Sequence, residues 1–207
     1  MVCFCVRVAH IAPLVALSDL IAMIGSGMTV KFFALFFWKD LGLRPIMVSA
    51  VFVAGPIGIA AFAQLAQRTS TCIGRVQTTL CAEGCGVSLL VALAFLHRKE
   101  AVLPVYLLRT WLMNCCTGLN KSVLNDYVPK RNRAKWNSLE SLNFFSWSGS
   151  ALLGGVLVDR FGYRFTFLVT AALQSLSLCC LVPLALLVHA EPEPAPGGKV
   201  APAASDA

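Results

Sequence analysis

Three ionisable residues, Asp19, Glu83 and Arg109, stand deep inside strongly apolar stretches of the chain. A charge near the centre of a bilayer costs about 2.5 to 3.5 kcal/mol on insertion scales, so each of them needs a physical reason to be there. Arg109 can attract an anionic or carboxylate-bearing solute. Asp19 can pair with a cation, take up a coupling proton or make a hydrogen bond that holds two helices together. Glu83 reads as a structural pairing. Lys31, Lys121 and Glu140 lie nearer the ends of their apolar runs, where long side chains reach water at low cost. Glu83, Lys121 and Glu140 therefore form a set of structural or coupling charges.

Arg109 does not stand alone. At about 100° per residue, Tyr106, Arg109, Thr110, Asn114, Thr117, Asn120 and Lys121 fall within an arc of roughly 140° of one helix. Such a stripe faces lipid only at a high cost, so it packs on polar partners or lines a water-filled path. Together with Asp19, these residues are the candidates for a substrate or ion pathway.

The elements that position them follow from composition. Of 207 residues, 57% are hydrophobic and 13% charged, more apolar surface than a single soluble core can hide. A hydrocarbon layer about 30 Å thick takes roughly 20 apolar residues in a helix. Six stretches meet that length, at about 11–37, 45–66, 76–96, 102–124, 137–158 and 165–188. Unpaired backbone groups are too costly in lipid, so the expected fold is all-α and transmembrane, a six-helix bundle. Residues 1–10 form a short N-terminal segment, and 189–207, rich in Pro, Ala and Gly, a disordered tail.

The net charge of +7 points away from nucleic acid, because the basic residues sit in short connections between apolar runs. The cluster Lys130, Arg131, Arg133 and Lys135 marks its loop as cytoplasmic, which puts both termini on the cytoplasmic side. The start of the chain is too short for a cleaved signal sequence and reads as the approach to the first helix. Most of the nine cysteines fall inside apolar runs as small fillers without nearby His, so neither a metal site, a cofactor nor a disulfide framework is expected.

The first three stretches compare with the last three as two inverted three-helix repeats. Gly25-Ser26-Gly27 echoes Thr117-Gly118, and Gly55-Pro56-Ile57-Gly58 echoes the run from Gly149 to Gly155. Each pair is equally explained by close packing of small residues, as is the four-residue recurrence of Ser146, Ser150 and Gly154.

Two further strings carry a resemblance. Val128-Pro129-Lys130-Arg131-Asn132-Arg133 separates the fourth and fifth stretches, and Gly154-Gly155, Asp159-Arg160-Phe161-Gly162-Tyr163-Arg164 separates the fifth and sixth. In order and composition they resemble the loops of the major facilitator superfamily, with Pro129, Arg133, Gly155, Asp159, Gly162 and Arg164 at the motif positions. The family's Gly-x-x-x-Asp-Arg-x-Gly-Arg-Arg signature belongs between the second and third helices, where this chain has only Arg68-Thr69-Ser70-Thr71-Cys72-Ile73-Gly74-Arg75. That departure looks like a C-terminal half. The resemblance implies that the first and fourth helices line a central cavity, so that the Arg109 stripe faces the path. It also implies a second six-helix bundle, as a missing N-terminal half, a second copy or another subunit.

The function this points to is movement of a small solute across a lipid bilayer by alternating access. The alternatives are a non-transporting membrane scaffold or receptor and an intramembrane serine protease of the rhomboid type. For the protease, Ser146-Trp147-Ser148-Gly149 lacks the first Gly of Gly-x-Ser-Gly, and His189 stands at the end of the last stretch.

Overall fold

The computed structural model describes residues 2–121 and 133–187, with side chains described over 16–121 (Lys99 apart), at Ser138 and over 141–182. Pro129 and the tail from 189 lie outside the described residues. Every regular element described is helical: α1 Val2–Val30, α2 Phe33–Leu35, a π-helical turn Phe36–Asp40, α3 Pro45–Ile73, α4 Arg75–Phe95, α5 Lys99–Asn114 and α6 Arg133–Leu187. Beyond a two-residue turn at Cys115 and Cys116, helix resumes over 117–121.

Four described segments are long and apolar enough to cross a membrane: Ala16–Asp40, Pro45–Ile73, Arg75–Phe95 and Ser141–Val182. The last is 42 residues long, about 63 Å if straight, or twice the hydrocarbon thickness. It is not straight. Gly162 interrupts it at φ 83° and ψ 170°, a backbone conformation that glycine alone adopts without strain. Helix α6 therefore has two limbs, before and after Gly162. Gly74, at φ 108°, performs the same service between α3 and α4. Pro45 opens α3 at its first position, where a missing N–H costs nothing.

The apolar stretch 11–37 is also divided. Helix α1 stops at Val30, and the chain re-forms through α2 into the π-helical turn, where Leu41 N–H donates to the Phe36 carbonyl at 3.1 Å, a five-residue step. The wider turn brings Phe33, Phe36 and Phe37 inward, and all three are completely buried. No Gly or Pro marks this break; the aromatic packing it permits is what holds it.

Helix α1 packs along both limbs of α6, α4 lies against α6 and α5, and α3 against α5 and α4. The α1–α6 seam is close because its residues are small. A Cβ at Gly27 would collide with the Trp147 carbonyl, and one at Gly154 with the Met28 backbone. Farther along, Ser18 and Ser177 share a hydroxyl contact at 2.8 Å and each donates to the other's carbonyl. Thr29 meets Thr170, and Gln174 Nε2 donates to Ser26 Oγ at 3.1 Å. Buried hydroxyls and amides thus serve one another where lipid offers no partner.

Arg164, in the second limb of α6, donates from one guanidinium nitrogen to the carbonyls of Ala94 (3.0 Å) and Leu96 (2.9 Å). Those carbonyls belong to the end of α4, which has no further turn of its own to satisfy them. Gly162 and Arg164 therefore have distinct structural duties, one breaking α6 and the other tying the break to α4. Asp159 is exposed and Gly155 half-buried, with room for a Cβ to touch only the Phe32 ring. Arg133 begins α6 and Glu140 lies within it, both with side chains outside the described set.

Candidate functional site

The stripe on α5 is split into two unlike ends. At the first, Arg109 is buried (4% exposed) beside Tyr106 (4%). Its guanidinium carbon stands 5.5 Å from the centre of the Phe33 ring. Its Nε has no hydrogen-bond partner among the described residues. The surroundings are aromatic: Phe33 lies 4.6 Å from Tyr106 and 4.8 Å from Phe167, and Phe37 lies 4.9 Å from Tyr106, ring centre to ring centre. Valine and leucine side chains of α4, Val87, Leu90 and Leu93, close the same core. A cation over an aromatic face gains about 2 kcal/mol or more when desolvated. That offsets only part of the several kcal/mol that burying an ion costs.

The second end lies beyond the turn at Cys115 and Cys116, about 16 Å farther along the helix. Here Asn120 accepts a hydrogen bond from Thr79 Oγ1 of α4 at 3.0 Å. Asp19 of α1 and Glu83 of α4 are both half-buried. So α4 and the segment after α5 meet through a hydroxyl and an amide, with the Glu83 carboxylate one turn along α4 from Thr79. Among the described residues, no group of three or more His, Cys, Asp or Glu side chains could hold a metal ion.

Between the two ends the polar residues serve their own helix. Thr110 Oγ1 donates to the Tyr106 carbonyl, Asn114 Nδ2 to Thr110 and Thr117 Oγ1 to Asn114, each at 2.8 Å. Asn114, Thr117 and Lys121 are exposed, whereas Thr110 and Asn120 are half-buried. Lys31, exposed on α1's side, lies 4.8 Å over the Trp147 ring. Ser148 of the serine-protease reading is exposed, and His189 lies outside the described residues.

Sequence reasoning did not foresee Thr79 as Asn120's partner, nor the aromatic enclosure of Arg109. It also passed over the polar seam between α1 and α6. The seam had a signal: Ser18, Gly25 and Thr29, and likewise Thr170, Gln174 and Ser177, recur at the spacing of one helix face.

Long apolar helices, seams of small residues and ionisable groups turned inward define a multi-pass integral membrane protein. The Major Facilitator Superfamily model matches residues 15–205. The chain belongs to that family of membrane transporters. A search of curated proteins gave no match. Among solved structures, the chain is similar to the POT family transporter PepTSo, solved in meso, with a TM-score of 0.73 and 16% identity. The likeness covers 89% of this chain and 39% of the transporter, so the chain spans well under half of that protein's length. At this identity the likeness is one of fold.

Proposed function

We propose that the chain forms the C-terminal six-helix half of a secondary transporter that moves a small solute by alternating access. Its six helices are arranged as two inverted three-helix repeats, counting the two limbs of α6 separately and α5 together with 117–121. The observation that carries the reading is the coverage: nearly all of this chain superposes on 39% of a transporter of the same family. A second bundle, on the same polypeptide, on another copy or on another subunit, completes the path. Both termini face the cytoplasm.

In this reading the exposed edge of the α5 stripe, Asn114 and Thr117, faces the solute path with Thr110 and Asn120 at its margins. Arg109, with Tyr106, draws a carboxylate-bearing or otherwise anionic solute toward it. Asp19 takes up a coupling proton, and Glu83 is a structural or coupling charge on α4. Glu140 and Lys121 remain structural or coupling charges near helix ends.

The test is uptake of a panel of small radiolabelled carboxylates into proteoliposomes that carry the chain, alone and together with co-expressed partner bundles. An inward proton gradient is imposed. Uptake that exceeds empty liposomes, depends on the gradient and loses that dependence in Asp19→Asn supports the reading. Uptake indifferent to the gradient, and unchanged by Asp19→Asn and Arg109→Met, overturns the site assignment. Failure of every combination to transport any solute favours a scaffold or receptor.

A further inference from the structure

Two pairs of adjacent cysteines occur within the described residues, Cys115–Cys116 and Cys179–Cys180. They are alike in sequence and unlike in structure. Cys179 and Cys180 sit in the continuous second limb of α6, where successive side chains diverge by about 100° around the helix. Cys115 and Cys116 occupy the two-residue turn between α5 and 117–121. That break lets their sulfurs come together at 3.6 Å. Cys115 Sγ also donates to the Leu112 carbonyl at 3.2 Å, filling a backbone acceptor that the interrupted helix leaves open.

The spacing selects a ligand. Two cysteine sulfurs 3.6 Å apart, each about 2.3 Å from a shared soft centre, would subtend about 100° there, close to tetrahedral or pyramidal geometry. Soft centres are also the ones thiolate sulfur prefers. Zinc would require further ligands, and the described residues hold no group of three or more His, Cys, Asp or Glu able to complete its shell. The fitting ligand is therefore one that needs only two thiolates and brings its own third substituent.

We propose that Cys115 and Cys116 form a bidentate site for trivalent organoarsenicals. The reaction is a condensation, R–As=O with two R′–SH giving R–As(SR′)2 and water. Two As–S bonds form, the As=O bond is lost, and both thiol protons leave on the oxygen. No oxidant or reductant takes part. The sulfurs are buried (6% and 1% exposed), but Asn114, Thr117 and Gly118 on either side are exposed. Admission of a small reagent requires this two-residue turn to open. Cys81 and Cys85, both exposed one turn apart on α4, are the natural competitors. Their side chains are set about 5 to 6 Å apart at Cβ and converge only by bending both rotamers.

The experiment treats the detergent-solubilised full chain with phenylarsine oxide and reads intact mass, followed by peptide mapping. The expected result is one phenylarsenic adduct per chain on the peptide containing Cys115 and Cys116, removed by a small dithiol and resistant to excess monothiol. Cys179→Ser/Cys180→Ser retains the adduct and Cys115→Ser/Cys116→Ser loses it. Because mapping on the unaltered chain locates the adduct, the outcome does not depend on the serine variant folding. An adduct on Cys81 and Cys85 or on Cys179 and Cys180, release by monothiol, or no adduct at all would overturn the proposal. None of these readouts involves transport, so the site stands or falls apart from the transporter reading.

Discussion

The two ends of the α5 stripe solve the same problem in opposite ways. At one end a guanidinium is enclosed by aromatic rings and its Nε is left without a hydrogen-bond partner among the described residues. At the other, Asn120 accepts a hydrogen bond from Thr79 of α4, and half-buried carboxylates stand on α4 at Glu83 and on α1 at Asp19. The first end places a charge among aromatic rings. The second spreads polarity over three helices. The difference teaches that helical spacing alone groups residues of unlike duty: one arc of the wheel contains both a core residue and residues at the surface.

The comparison can be broken by substitution. The largest effect is expected from Phe33→Ala, which empties the centre of the aromatic enclosure. Truncating a fully buried Phe costs about 3 to 5 kcal/mol, to be read from reversible unfolding in mixed micelles. A loss below about 1 kcal/mol would mean that the enclosure is not what holds the π-helical turn.

Next is Arg109→Met, which keeps the length of the side chain and removes the charge. If the guanidinium has no anionic partner inside the bundle, thermal stability stays level or rises, while uptake of an anionic solute falls at least tenfold. A destabilisation of about 3 to 5 kcal/mol is instead the mark of a broken internal ion pair. That result would make the two ends alike.

A smaller loss, about 0.5 to 1.5 kcal/mol, is expected for Asn120→Ala, which removes the acceptor of the Thr79 hydroxyl's bond to the neighbouring segment and leaves that hydroxyl the Arg75 carbonyl of its own helix. Combining it with Thr79→Val should give a coupling energy of at least about 0.5 kcal/mol. Strict additivity would show that the hydrogen bond between α4 and the end of the stripe contributes nothing. The smallest effect belongs to Thr117→Ala, whose hydroxyl serves only its own helix from an exposed position. Stability should change by no more than about 0.5 kcal/mol, so a large drop in uptake would assign Thr117 to the solute path.

Much of this architecture was legible in the residues because lipid allows few alternatives. Apolar runs of sufficient length become helices, Gly162 and Pro45 punctuate them, and the loop motif around Gly155 and Asp159 identifies the family. The π-helical turn was not legible, since Phe36-Phe37-Trp38-Lys39-Asp40 has no breaker and its geometry is decided by rings contributed from α5 and α6. The fate of Arg109 was hidden for the same reason. Periodicity says which residues share a face, and only the neighbouring helices say whether that face meets a cavity or a core. The turn at Cys115 and Cys116 likewise has no Gly or Pro of its own, and it separates the stripe into parts that no single wheel describes.

The seam between α1 and α6 has a bearing on how the protein is made. Ser18 and Ser177 are 159 residues apart in the chain, so α1 enters the membrane long before its partner has been synthesised. During that interval Ser18, Ser26 and Thr29 face lipid or a chaperoning insertase with their hydroxyls unmatched, and Gly27 has nothing to nest against. The α1–α6 seam can close only after the segment beyond Gly162 has arrived, so the second limb of α6 is the one that fastens α1.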